Sequence, residues 1–207
     1  MAFHKLVATS STGASLLLRR LEGSSSLWSK LPTARSGSSK DFLLGGSDSE
    51  AGRKLSYRFF VNKEERELQG VVHYGSHAEG PRGHAHGGAT AAVLDVACGS
   101  LCWWLGEIVV TGSLEVKYRR LIPLGTSLVL NARVTETQGK KLLVSAELCD
   151  ALDEEGFGGG RGDSSSRGSG PYAEAKCTFI QIDRSAVGWA DGESWEGGQK
   201  KESRSKL

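Results

Sequence analysis

The stretch that most constrains this chain is ATAAVLDVACGSLCWWL, Ala89 to Leu105, entered through His86-Gly87-Gly88. It is apolar nearly all round, and its only carboxylate is Asp95. A helix of that composition belongs at the centre of a core. A carboxylate is costly to bury there as an anion. Groups whose proton affinity is disturbed in this way gather at working sites. Asp95 is therefore the first candidate for chemistry. A membrane span is the competing reading. Asp95 and Gly99 inside the run, the glycines on both flanks and the lack of Lys or Arg anchors argue against it, so no membrane span is expected.

Strands surround this helix in the sequence. Tyr57 to Val61 and Glu67 to Tyr74 precede it, with a charged turn between them. Gly75 to Gly83 is a glycine- and proline-punctuated loop, and Gly106 ends the helix. Ile108 to Tyr118 follows, alternating from Ser113 onward as a half-buried strand does. Thr126 to Thr135, Lys141 to Cys149 and Tyr172 to Ile182 complete the set. A run of antiparallel strands must bury one face against something. The one element long and apolar enough is the helix, a rod of roughly 27 Å at 1.5 Å per residue. The expected class is α+β, a curled antiparallel sheet against one long helix.

The 207 residues are 38% hydrophobic and include 28 glycines, too little apolar content for every segment to pack. Residues 1–55 are expected as a disordered N-terminal extension. Within it, residues 1–40 set Lys5, Arg19, Arg20, Lys30, Arg35 and Lys40 against a single acid, Glu22, and resemble an organelle transit segment. The folded domain is expected over 56–183, interrupted by a Gly/Ser-rich loop at 157–170, with a flexible tail over 184–207. That tail closes on Ser205-Lys206-Leu207, an address read by the peroxisomal import receptor. Peroxisome is the expected location, with mitochondrion as the alternative. A formal charge of +2 gives no attraction to nucleic acid. Cys98, Cys102, Cys149 and Cys177 read as free thiols.

The His-Gly-Gly turn has a direct chemical use. Gly87 and Gly88 leave backbone N–H groups unshielded at the positive end of the helix dipole, where an oxyanion can be held. Asp95 lies seven residues after Gly88, two turns along the same face. Donors and acid in line suit attack on an acyl carbonyl, with Asp95 activating water or attacking directly. The competing reading is a glycine start chosen for tight packing and a buried, hydrogen-bonded Asp. His73, His77, His84 and His86 crowd together, but no histidine follows His86 to complete a barrel metal site, so no metal is expected. No cofactor loop is present either.

These residues carry a family resemblance. His86-Gly87-Gly88 with Asp95 nine after the histidine is similar to the H-G-G-x6-D signature of hotdog-fold acyl-coenzyme A thioesterases. Gly83 to Pro123 resembles thioesterase superfamily members 4 and 5, in the family of PaaI-like thioesterases. Gly139-Lys140-Lys141 and Ala175 to Ile180 continue the likeness. Leu121 departs from the proline usual there.

The resemblance implies a hotdog fold, a curved antiparallel sheet around the central helix. It also implies a homodimer, or a tetramer of two, with active sites at the subunit interface. The implied activity is hydrolysis of acyl-coenzyme A thioesters, with a non-catalytic acyl-coenzyme A-binding protein as the alternative. Asp95 would be nucleophile or general base. Thr111 would position water from the partner subunit, and Gly87 or Gly88 would give the oxyanion N–H, with His86 supporting that turn. Lys117 and Arg119 would meet the phosphates of coenzyme A.

Overall fold

The structure, a computed structural model, describes residues 2–24, 26–31, 55–150, 170–183, 186, 194–196 and 199–201. The Gly/Ser-rich loop up to residue 169 and the terminal Ser205-Lys206-Leu207 lie outside the described residues.

Two short helices, α1 (Ala2–Ser10) and α2 (Thr12–Gly23), lead into β1 (Ser29–Lys30). Then come β2 (Leu55–Asn62), β3 (Glu67–Tyr74), the long helix α3 (Gly87–Trp104) and β4 (Val109–Tyr118). The strands β5 (Ser127–Gln138), β6 (Lys141–Cys149) and β7 (Ala173–Gln181) follow, and a small hairpin pairs β8 (Ser194–Glu196) with β9 (Gln199–Lys201). Seven strands make one antiparallel sheet in the order β1-β2-β3-β5-β6-β7-β4. One long helix against one curled antiparallel sheet is the expected α+β hotdog arrangement.

Helix α3 buries Thr90, Val93, Leu94, Ala97, Cys98, Leu101 and Cys102 against the sheet. Those positions recur every three to four residues, the spacing of one helix face. The sheet supplies Phe59, Leu68, Val72, Leu128, Leu130, Leu142, Val144 and Phe179 to the same core. The opposite side of α3 is only half covered. Asp95, Val96, Gly99 and Ser100 are of intermediate exposure. A single sheet wraps one side of a rod, so the all-round burial expected from composition is not reached.

The helix ends at Gly106, whose φ of 91° suits the left-handed turn that reverses the chain. Three residues later β4 begins, and the chain runs back alongside α3.

The other face of the sheet carries a second apolar layer. Phe60, Val71 and Val129 pack against Phe3, Val7, Ala14, Leu17, Leu18 and Leu21. Arg58 on β2 ties the layer down. Its Nη1 donates to His4 Nε2 at 2.6 Å and to Glu22 Oε1 at 3.1 Å, and its guanidinium lies over the Phe3 ring. Residues 2–23, expected to be disordered, are thus helical and docked. The physical reason is the spacing of Leu17, Leu18 and Leu21, which puts an apolar stripe on one side of a helix whose arginines face out. Ser11 caps α2 by accepting from the Ala14 N–H at 3.2 Å.

Gly70 on β3 is the register partner of Phe59 on β2. A Cβ built there would run into the Arg58 carbonyl oxygen and come within 2.6 Å of the Phe59 ring. Gly70→Ala is expected to lower the unfolding free energy by about 1–3 kcal/mol, the usual cost of overpacking. A chemical denaturation midpoint equal to that of the wild type would refute the close-approach argument.

Candidate active site

The site is built where β4 returns along α3. Asp95 lies ten residues before the last turn at Leu105, about 15 Å at 1.5 Å per residue. Thr111 lies five residues beyond Gly106, about 17 Å at 3.3 Å per residue. The two legs of this reversal are nearly equal, so the two side chains arrive at the same level. Thr111 Oγ1 donates to Asp95 Oδ1 at 2.8 Å. The resemblance implied a threonine delivered by the partner subunit. The structure instead joins the pair within one chain. Among the described residues, no other group hydrogen-bonds the Asp95 carboxylate, so its second oxygen is open.

The start of α3 is the second part. His86 is the N-cap, and its Nδ1 accepts from the Gly88 N–H at 2.9 Å. An accepting Nδ1 places any ring proton on Nε2. The His86 backbone N–H donates to the Ala78 carbonyl at 2.7 Å, and the His86 carbonyl accepts from the Ala89 N–H at 3.0 Å and the Thr90 N–H at 3.2 Å. Of the two N–H groups singled out in the sequence, the Gly88 donor is therefore taken by a ring. Among the described residues, the Gly87 N–H has no hydrogen-bond partner. The glycine at 88 has its own reason. A Cβ there would meet His86 Nδ1 at 2.9 Å.

The two parts do not complete one site within one chain. Gly87 and Asp95 are eight residues apart, about 12 Å along the axis. A reacting carbonyl must sit about 3 Å from both an oxyanion donor and a nucleophile. Sharing a helix face, which made the pair attractive in the sequence, is not proximity.

Strand β4 also sorts its side chains in an unexpected way. Its pairing with β7 slips between Thr111 and Ser113. A bulge inserts one residue and reverses the parity of everything after it. Before it, Val109 and Thr111 face α3. After it, Leu114 and Val116 pack on the core, and Tyr118 OH donates to the Gly87 carbonyl at 3.0 Å. Glu115 and Lys117 are turned to the outer face. There they line a cavity of about 470 Å³ with Glu67, Arg133, Glu147 and Lys176.

Lys117 Nζ stands 3.8 Å from Glu115. Arg119 Nε and Nη2 donate to Glu174 Oε2 at 3.0 and 2.8 Å. Lys117 and Arg119 are thus brought together with acids, not with Asp95. Tyr118, passed over in the sequence, faces the helix start. The signal that finds it is the glycine at 112 inside an alternating strand, since a glycine there marks a bulge.

The histidines disperse. His73 is buried in the sheet, shares a hydrogen bond of 2.9 Å with the Ser127 hydroxyl, and has its pKa lowered by burial. The His84 ring donates to the Arg82 carbonyl at 2.9 Å. Among the described residues, no three His, Cys, Asp or Glu side chains are placed to hold a metal ion. Also among them, no helix is long and apolar enough to cross a membrane. Burial pushes the Cys102 and Cys149 thiols up to about 12. The Cys98 thiol is raised by its hydrogen bond with Cys177 and by burial.

A curled antiparallel sheet on one long helix, with an acid and a hydroxyl paired beside it, is a hotdog arrangement, and residues 82–156 match the model of the thioesterase superfamily. The chain is also similar to acyl-coenzyme A thioesterases. THEM4 of Rattus norvegicus is 34% identical over 134 residues, 65% of this chain and 51% of that protein. THEM4 of Mus musculus is 31% identical over the same length. THEM5 of Homo sapiens is 30% identical over 94 residues, 45% of this chain and 38% of that protein. The chain spans about half the length of the THEM4 relatives from rat and mouse. A crystal structure of a thioesterase superfamily protein covers 61% of this chain and 54% of its own, at 22% identity and a TM-score of 0.49.

His86→Ala removes the cap acceptor and is expected to cost about 1 kcal/mol of stability. Thermal unfolding measures it. An unchanged midpoint would mean that the imidazole does not hold the helix start.

Proposed function

We propose that this chain hydrolyses acyl-coenzyme A thioesters to a free carboxylic acid and coenzyme A, working as a homodimer. The observation that carries the reading is the Asp95 carboxylate, held on one oxygen by Thr111 and open on the other. With its proton committed to Asp95, the Thr111 oxygen keeps lone pairs to accept from a water. The open oxygen of Asp95 takes that water's proton as the hydroxyl oxygen attacks the thioester carbonyl. The carbonyl oxygen becomes an anion, which a free N–H at a helix start stabilises. Collapse breaks the C–S bond, and the proton on Asp95 passes to the departing thiolate. The names of the relatives support the substrate class.

The distance between Gly87 and Asp95 supports the dimer. One chain supplies the acid and Thr111, and the partner subunit's Gly87 supplies the oxyanion N–H. Strand β4 supports it too. Among the described residues it is an edge strand of ten residues, paired on one side only, and Val110 and Tyr118 on it are exposed apolar groups. An open edge of that length is a template for another strand. Lys117 and Arg119, on the outer side of that edge, would meet the phosphates of coenzyme A where it leaves the site.

Asp95→Asn keeps the shape and removes the base. Its kcat is expected to fall by about 10²–10⁴ in an assay of thiol release from acyl-coenzyme A. A wild type that binds acyl-coenzyme A and releases no thiol would favour the non-catalytic alternative. Equal turnover by Asp95→Asn would exclude the base role.

For location, the tripeptide Ser205-Lys206-Leu207 supports import into peroxisomes, with the import receptor as partner. A reporter fused to the N-terminus should lose its peroxisomal signal when Leu207 is deleted. Persistence of that signal would count against the address.

A further inference from the structure

Tyr118 has no part in the reaction as proposed so far, yet it touches the helix start directly. Its hydroxyl donates to the Gly87 carbonyl at 3.0 Å, and a Cβ at Gly87 would rest 3.5 Å from its ring. Its ring is 54% exposed, so the hydroxyl contact is not a by-product of burial in the core.

The Gly87 carbonyl and the Gly88 N–H belong to one peptide unit. Tyr118 holds the oxygen end of that plane, and His86 Nδ1 holds the N–H end at 2.9 Å. The preceding unit, between His86 and Gly87, is held at its carbonyl by the Ala89 and Thr90 N–H groups. Its other end is the Gly87 N–H, the free donor. Glycine has little backbone preference of its own, so this pair of units would otherwise rock. Electrostatic stabilisation of an oxyanion depends on donors that need no reorganisation during the reaction.

We propose that Tyr118 is a positioning residue, fixing the Gly87–Gly88 peptide so that the Gly87 N–H is aimed before substrate arrives. The inference rests on the thioesterase reading of the site. It also explains the bulge in β4: without the parity change at Gly112, Tyr118 would face away from α3 and Lys117 toward it.

Two measurements on Tyr118→Phe test this, one with substrate and one without. In the thiol-release assay, kcat should fall about tenfold with KM and the melting temperature unchanged, because the ring stays and only the hydroxyl goes. Tyr118→Leu, lacking the ring as well, should match that fall in kcat. In NMR of the free protein, the Gly87 and Gly88 amide signals should shift and broaden in Tyr118→Phe. A wild-type kcat in Tyr118→Phe overturns the positioning role, as does a fall in kcat matched by a lower melting temperature. Should the wild type itself release no thiol, the thioesterase reading fails separately. The amide signals then decide, and unchanged Gly87 and Gly88 resonances refute the peptide lock.

Discussion

Burial of one face of α3 against a single curled sheet is the constraint on which the rest depends. It fixes the long axis of the core and orients the helix start. It also leaves the other helix face half open, and that is where Asp95 lies. A carboxylate on the buried face, between Leu94 and Ala97, would have needed full compensation for lost hydration. On the half-open face, a single hydroxyl hydrogen bond suffices to hold it, and the second oxygen remains available. The same geometry that spares the fold a buried charge therefore leaves one carboxylate oxygen open.

The second constraint is the bulge at Gly112. An alternating strand assigns its faces by parity, and one inserted residue reverses the assignment. Thr111 lies before the bulge and Tyr118 after it, seven residues apart. Odd separation would place them on opposite faces in a regular strand. With the bulge both face α3, one beside the acid and one beside the helix start. A single irregularity thus lets one strand reach both the middle and the start of the same helix.

These two constraints explain what could be read from the residues alone. The long helix and the six strands that follow one another around it were legible because apolar periodicity reports burial directly. His86, Gly87, Gly88 and Asp95 could be singled out because a motif spaces them, and Thr111 because the resemblance names it. Alternation of Leu114, Val116 and Tyr118 with Glu115 and Lys117 already sets Lys117 on the polar face. How that face stands to Thr111 depends on the register slip at Gly112, which alternation after Ser113 does not record. Nor could a shared helix face between Gly87 and Asp95 reveal the axial distance that separates their roles. The docking of residues 2–23 was missed for a third reason. Their basic composition suggested an extension, whereas their packing is decided by three leucines meeting Phe60, Val71 and Val129 on a face of the sheet. Nothing local to that segment announces the patch it covers.

That docking bears on how the N-terminal segment can be used. A basic amphipathic helix works as an organelle address only when its apolar stripe can be grasped. Here Leu17, Leu18 and Leu21 are almost wholly buried against the sheet, and Arg58 joins His4 and Glu22 across the contact. Burying side chains of that size stabilises the contact by about 1.5–3 kcal/mol each relative to exposure. Any receptor reading the stripe must displace it from the sheet and leave Phe60, Val71 and Val129 bare. Before the chain has folded, no such competition exists. In the folded chain the segment is therefore a structural layer, and its release would uncover the sheet face it packs on.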